Sequence, residues 1–457
     1  MLQFGTDGIR GVANTEITAE IALALGRAAA RHLEGSPWVL GRDTRRSGPM
    51  LLSALAAGLA AEGREVVDAG VIPTPGLAWL AGERGNPAAM VSASHNPFHD
   101  NGIKLFGAGG TKLALRDEEA IQAELARAAG AGAGAAAGDG AGGGAGAGAG
   151  AGSGVGGISI DPDAVVFYVD RLVTVVPEAA AFRGGVILDC ANGAASAVAP
   201  AVFTRLGIDH RVINAAPDGT NINAACGSTH LAHLQAEVTT QGAALGIAYD
   251  GDADRMLAVD HAGELIDGDQ LIAMFAADLQ ERGELAGDHV VVTVLSNLGL
   301  RLALEARGVE LVETPVGDRH VADALETGGY VLGGEQSGHL IFRRHASTGD
   351  GILTSLKLLE LLARRSLPLA ELAARSMQRL PQVMVNVPVR DRDRLALAVA
   401  VWDEVLAVET ELGTTGRVVL RSSGTEPAVR VMVEGPTIEE VNRQVKRLAA
   451  VVERELA

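Results

Sequence analysis

Two rhythms of apolar residues alternate along the chain. Spacings of three and four mark amphipathic helices, and short unbroken apolar runs bounded by polar or glycine residues mark buried strands. In "TAEIALALGRAAARHL", Thr18 is placed as an N-cap and Ile21, Ala24, Leu25 and Ala28 share one face. "WVLGRD" then predicts a strand, "SGPMLLSALAAGLAAEG" a helix, and "REVVDAGV", "AAMVSAS" and "GIKLF" further strands. The alternation resumes with strand "GGVILDC", a helix through "AVAPAVFTRLG", strand "HRVINA", helix "THLAHLQAEVTTQG" and strand "ALGIAYDGDADR". "MLAVDHAGELID" reads as a hairpin. After it come helix "GDQLIAMFAADLQERG", strand "HVVVTVLSN", helix "LGLRLALEARG", strands "VELVETP" and "YVLGG", and the long helix "DGILTSLKLLELLARR". Strands separated by helices predict mixed, mostly parallel sheets built from βαβ units.

The pattern divides the chain into three similar α/β units, 1–129, 158–256 and 257–370, and a smaller C-terminal α+β unit, 371–457. Between the first two lies a segment, 130–157, with 15 Gly and 10 Ala among its residues. Such a composition buries almost nothing and is expected to be a linker or disordered loop. Its G-x-G-x-x-G match from Gly138 follows no strand and carries no dinucleotide signal.

Composition narrows the function classes. The 457 residues carry a formal net charge of −18, which argues against a general nucleic-acid binder. The two cysteines, Cys190 and Cys226, lack metal-ligand spacing and read as reduced thiols. No signal peptide and no apolar run of membrane-spanning length is evident, so a cytoplasmic protein with no membrane partner is expected.

In each α/β unit an apolar strand runs into a small polar loop: "VSASHNP", "IAYDGDADR" and "LGGEQSGH". Loops at the C-terminal ends of parallel strands are where α/β proteins hold ligands. "DGDADR" spaces Asp250, Asp252 and Asp254 two apart, so in an extended segment their carboxylates project to one side. Three converging carboxylates call for a cation, and all-oxygen ligation suits Mg²⁺ or Ca²⁺. An EF-hand is excluded, because its required Gly and Glu positions hold Arg255 and His261. A hexacoordinate ion held this way leaves room for phosphate oxygens, which points to phosphoryl chemistry.

Ser94 in "SASHNP" then reads as a phosphate carrier. A hydrolase site is disfavoured: the G-x-S-x-G elbow is absent, and adjacent residues of an extended segment place His95 opposite Ser94. "RSSGTEP", 421–427, offers Arg421, Ser422, Ser423 and Thr425 around Gly424 as a phosphate cradle, with Arg430 downstream. Glu335 and Ser337 are two apart and co-facial, suiting recognition of sugar hydroxyls.

In order, "SASHNP", "DGDADR", "GGEQSGH" and "RSSGTEP" resemble the α-D-phosphohexomutase superfamily, and the resemblance covers nearly the whole chain except the Gly/Ala segment. "FGTDGIRGVAN", "PDGTNINAACGSTH", "TGDGI" and Gln336 are similar to the branch that acts on glucosamine phosphates. The resemblance implies four domains around a central cleft, and an intramolecular phosphotransferase feeding amino-sugar nucleotide and cell-wall precursor synthesis. It implies that phosphorylated Ser94 passes its phosphoryl group to glucosamine 6-phosphate. The 1,6-bisphosphate reorients, returns the other group to Ser94, and leaves as glucosamine 1-phosphate.

In that scheme one Mg²⁺ sits on Asp250, Asp252, Asp254 and phospho-Ser94. Lys104 and His339 match general acid/base positions, and Arg10 and Arg255 lie by the transferring group. Glu335 and Ser337 hold sugar hydroxyls, while Arg421, Ser423, Gly424, Thr425 and Arg430 grip the idle phosphate. A sugar bisphosphate or other phosphate donor charges Ser94, and the resemblance leaves room for a homodimer. Three rivals stand: phosphoglucomutase/phosphomannomutase activity on the same fold, a phosphatase with Asp250 as nucleophile, and a non-catalytic sugar-phosphate-binding module.

Overall fold

The computed structural model describes residues 8–134, 154–423 and 427–456. Six strands form the first sheet: β1 (Ile9–Val12), β2 (Trp38–Arg42), β3 (Val66–Val71), β4 (Ala88–Val91), β5 (Asp100–Phe106) and β6 (Ile158–Ile160), in the order β1-β5-β4-β2-β3-β6. Helices α1 (Ala19–His32), α2 (Gly48–Ala61), α3 (Thr74–Arg84) and α4 (Leu115–Gly134) belong to this unit. The Thr18 side chain accepts from the Ile21 N–H, so the expected N-cap is formed. Trp38, Leu40, Leu51 and Leu55 lie fully buried between sheet and helices.

The second sheet runs β11-β10-β9-β7-β8, from β7 (Val186–Asp189), β8 (His210–Ile213), β9 (Leu245–Tyr249), β10 (Met256–Asp260) and β11 (Leu265–Ile266). Its helices are α5 (Ala164–Val175), α6 (Ala195–Arg205) and α7 (Ala232–Gln241). The third runs β13-β12-β14-β15, from β12 (His289–Thr293), β13 (Glu310–Thr314), β14 (Leu332–Gly334) and β15 (Leu340–Phe342). With it go α8 (Gly268–Glu281), α9 (Leu298–Glu305), α10 (Asp318–Gly328), α11 (Gly351–Arg365) and α12 (Leu369–Ser376). One apolar core is continuous from Tyr168 to Met377, so these two units share it. Asp350 of "TGDGI" caps α11 at Leu353 N–H and accepts the Tyr168 hydroxyl at 2.8 Å, a structural use of that motif.

A fourth, antiparallel sheet, β16-β18-β17, is made of β16 (Gln382–Pro388), β17 (Arg417–Ser422) and β18 (Ala428–Glu434), packed on α13 (Val399–Leu412) and α14 (Ile438–Leu456). The expected class, three α/β units with mixed sheets and an α+β C-terminal unit, is the architecture found.

Two expected unit limits cut across sheets. β6 pairs in parallel with β3 and so completes the first sheet, although it follows residue 157. β10 pairs along its length with β9, so residues 257–266 belong to the second sheet. Within the expected 130–157 linker, α4 continues to Gly134; residues 135–153 lie outside the described residues.

One topological feature positions the chemistry. In each α/β unit a strand with a parallel neighbour turns back into an antiparallel strand: β4 into β5, β9 into β10, β14 into β15. The three reversals are residues 92–99, 250–255 and 335–339, the three polar loops of the sequence.

Candidate active site

The reversal after β4 holds Ser94 in the left-handed region, with φ +50°. That breaks the strand alternation, so His95 is not directed away from Ser94 as an extended backbone requires: Ser94 Oγ is 3.3 Å from His95 Nδ1. Its shorter bond goes elsewhere, with Oγ donating to Asp250 Oδ2 at 2.6 Å. Burial, assisted by the Arg255 and Arg10 charges, pushes the His95 imidazole down to about 4. His95 is therefore a neutral neighbour at physiological pH.

The three aspartates converge, although by a different route from the one expected. Residues 250–255 form a turn, with Ala253 at φ +58°, rather than an extended run. Asp250, Asp252 and Asp254 are buried, and each offers an oxygen within 4.8 Å of the others. Asp252 Oδ2 accepts from Thr74 Oγ1 at 2.6 Å and from Lys104 Nζ at 3.0 Å. Lys104 Nζ also lies 3.6 Å from Asp254 Oδ2.

Burial first, then the Asp254 and Asp252 charges, push the Asp250 carboxyl well above the usual carboxylate range. Burial opposes ionisation of Asp254 as well, but Lys104, His339 and Arg255 outweigh it and hold that carboxyl low. Among the described residues, Asp252 Oδ1 and Asp254 Oδ1 are buried without a hydrogen-bond partner. Buried carboxylate oxygens left unmatched in an all-oxygen cluster fit a hard divalent cation.

Arg255 extends the loop, its Nε 3.8 Å from Asp254 Oδ1. Arg10, on β1 opposite Gly102 of β5, acts on the same His95 from the first sheet. The structure thus brings together Ser94, Lys104, the three aspartates, Arg255 and Arg10.

His339 joins them from the third unit. It is buried, its Nδ1 is 3.6 Å from Asp254 Oδ2, and its Nε2 accepts the Gly349 N–H at 3.0 Å. A Cβ on Gly349 would fall 2.6 Å from that ring. Burial opposes protonation of His339, but the neighbouring Asp254 outweighs it and raises the imidazole pKa, while the Gly349 N–H fixes the orientation of the ring. Glu335 and Ser337, on the same reversal, are half-buried and lie together, Ser337 Oγ donating to Glu335 Oε2 at 3.5 Å. The Gly338 carbonyl accepts from Met256 N–H at 3.0 Å and seats this loop on β10.

Arg421 and Arg430 form a second cluster on the fourth sheet. They are direct cross-strand partners on β17 and β18, and among the described residues both Nε atoms are buried without a hydrogen-bond partner. Burial, and then the Arg430 charge, lower the Arg421 pKa from its ordinary value. Like charges placed opposite each other are unfavourable unless an anion sits between them. Ser423 is buried at the end of β17, its N–H donating to Ala428 O at 2.8 Å. Gly424 and Thr425 lie outside the described residues.

Sequence reasoning missed the supports. Thr74, between two prolines at the start of α3, gives its hydroxyl to Asp252 and its N–H to Asp252 O at 3.0 Å. Arg45, fully buried in "GRDTRRSG", pairs with Asp43 and donates to the carbonyls of Ser94, Asn96, Pro97 and Asp100. A threonine in a Pro-Thr-Pro turn and an arginine two residues after an aspartate were the available signals.

Models of the phosphoglucomutase/phosphomannomutase alpha/beta/alpha domains I, II and III match residues 1–130, 166–263 and 267–380, and the model of the C-terminal domain matches 384–451. The chain belongs to the phosphoglucomutase/phosphomannomutase family. Among its relatives, the phosphoglucosamine mutase of Frankia alni is 49% identical, covering 98% of this chain and 97% of that one. That of Symbiobacterium thermophilum is 46% identical, with 99% of each covered. The fold matches a putative phosphomannomutase from Thermus thermophilus at a TM-score of 0.79 and 24% identity, over 99% of both chains. It also matches an N-acetylphosphoglucosamine mutase from Aspergillus fumigatus, solved with GlcNAc-6P and magnesium, at 0.70 and 18%, over 100% and 96%. No helix among the described residues is long and apolar enough to cross a membrane.

Proposed function

We propose that this protein is an intramolecular phosphotransferase that interconverts glucosamine 6-phosphate and glucosamine 1-phosphate through a phosphoserine enzyme and a 1,6-bisphosphate. The observation that carries the reading is the 2.6 Å bond from Ser94 Oγ into the buried cluster of Asp250, Asp252 and Asp254. The choice of sugar is supported by relatives 46–49% identical that are named phosphoglucosamine mutase.

In the forward direction a free sugar hydroxyl attacks the phosphorus of phospho-Ser94. The O–P bond to the sugar forms, the bond to Ser94 Oγ breaks, the hydroxyl loses its proton and Oγ gains one. Lys104, which pairs with Asp252 and Asp254, mediates that proton exchange in this reading. His339, beside Asp254, is the second acid/base candidate in this reading. Arg10 and Arg255 face the charge that develops. After the bisphosphate turns over, the reverse transfer restores phospho-Ser94. Glu335 and Ser337 meet the sugar hydroxyls in either orientation. Arg421, Arg430, Ser423, Gly424 and Thr425 anchor the phosphate that is not reacting, which keeps one substrate in register for two chemistries. Asp250, Asp252, Asp254 and the serine-borne phosphate would hold a divalent ion, Mg²⁺ in this reading, which would supply positive charge against the transferring group. Ser94 is charged by a sugar bisphosphate or another phosphate donor. The substrates are free sugar phosphates, so the reading is of a cytoplasmic enzyme.

Values of kcat/KM for glucosamine 6-phosphate, glucose 6-phosphate and mannose 6-phosphate test the choice of sugar. Glucosamine 6-phosphate is expected to be preferred by about tenfold or more. An equal preference for a neutral sugar would move the protein to the phosphoglucomutase/phosphomannomutase activity.

A further inference from the structure

The carbonyl oxygens of Ser94 and Asn96 each accept two hydrogen bonds, from two different units of the molecule. Arg45 Nη2, from the first unit, reaches them at 2.9 and 2.8 Å. Asn223 Nδ2, from the loop between β8 and α7 of the second unit, reaches the same oxygens at 2.8 and 2.9 Å. Both lone pairs of each oxygen are therefore used. Asn223 is buried and is itself left-handed, at φ +58°, with its N–H fixed on Ala191 O at 2.9 Å. The space around it is closed: a Cβ on Gly251, within the aspartate loop, would fall 2.5 Å from Ser94 O and 2.9 Å from Asn223 Nδ2. At the preceding peptide, Ser94 N–H donates to Ser92 Oγ at 2.9 Å, and Ser92 Oγ donates to Asp43 Oδ2 at 2.7 Å. Every polar backbone group of Ser94 is thus held by a side chain.

We propose that Asn223 is a positioning residue for the nucleophile. By gripping the Ser94 and Asn96 carbonyls from the second unit, its amide ties the Ser94 peptide to the unit that carries Asp250, and so sets where Oγ stands against the aspartates. The inference rests on the phosphoserine reading above and adds to it a residue that touches neither substrate nor ion. Asn223 acts through orientation, so its loss falls on kcat. A misplacement of a reacting group by about 1 Å costs up to about a hundredfold in rate.

Three properties of Asn223 can be separated by substitution: its tolerance of positive φ, its volume and its donor. Asn223→Asp keeps the first two and replaces the donor with oxygens that face two carbonyls. Asn223→Gly keeps only the first. A donor role predicts that the Asp variant is the worse, with kcat down about a hundredfold, and the Gly variant down about tenfold. In both, KM for glucosamine 6-phosphate stays within about twofold of the wild type. Circular dichroism and Tm report folding, and the Gly variant alone decides the matter if the Asp variant does not fold. An Asp variant with wild-type kcat, a Gly variant with wild-type kcat, or a rise in KM at constant kcat would each overturn the proposal. Peptide-mapped phosphate on Ser94 of the wild type, measured alongside, separates the two readings. Its absence sinks the phosphoserine mechanism, whereas its presence with unaffected Asn223 variants sinks only this inference.

Discussion

At Ser94 the backbone holds a φ of +50°, a region that costs a non-glycine residue roughly 1–2 kcal/mol. Side-chain bonds from Arg45, Asn223 and Ser92 to its carbonyl and N–H keep it there. The same economy recurs at Asp252, where Thr74 and Lys104 occupy Oδ2 and leave Oδ1 for an ion. Thr74→Val retains the shape and deletes the hydroxyl. The Mg²⁺ concentration for half-maximal activity is expected to rise roughly tenfold, because loss of a partner that orients a metal ligand weakens metal binding by about 10–100-fold. A titration of activity against Mg²⁺ reads this directly, and an unchanged midpoint would remove Thr74 from the metal site. No rhythm of the sequence marks such a contact: Thr74 and Asp252 are 178 residues apart, and each is one small polar residue in its own loop.

At the scale of elements, the strands were legible because short apolar runs end abruptly in polar loops, as "LGIAY" does before "DGDADR". The three-residue β6 was not, since Ile-Ser-Ile after a Gly/Ala stretch is too short to show a pattern and gains its partner only from β3. The site residues were legible as types, with carboxylates spaced by two and a serine at a strand end. Their geometry was not, because left-handed residues at Ser94 and Ala253 replace extended backbone by turns. His339 shows the same limit: the sequence places it beside the sugar loop, and only the fold reveals Gly349 N–H and Asp254 on its two nitrogens.

The fourth sheet yields its own test. Arg421 and Arg430 face each other across β17 and β18, so Arg421→Ala relieves repulsion in the empty protein while removing the proposed phosphate contact. Tm without substrate should hold or rise. KM for glucosamine 6-phosphate should rise by about tenfold or more, because charge-assisted bonds contribute about 1.5–3 kcal/mol each. A steep fall in Tm with KM unchanged would show the pair to be structural.

Across the whole molecule, the site exists only where units meet. Ser94 and Lys104 come from the first sheet and the aspartates from the second; His339, Glu335 and Ser337 come from the third. The first and third units are also joined away from the chemistry, where Arg319 of α10 makes a buried, bidentate pair with Glu118 of α4. That pair lies at the helix start beside Gly317, whose N–H donates to Glu335 Oε1 at 3.2 Å, so the contact between units reaches the loop of Glu335. The proposed chemistry turns on Ser94 carrying the phosphoryl group. Intact mass and peptide-mapped phosphorylation of the purified protein, with and without Ser94→Ala, test it most directly. Phosphate is expected on Ser94, lost together with mutase activity in the variant; an active enzyme that never carries phosphate there would overturn the mechanism.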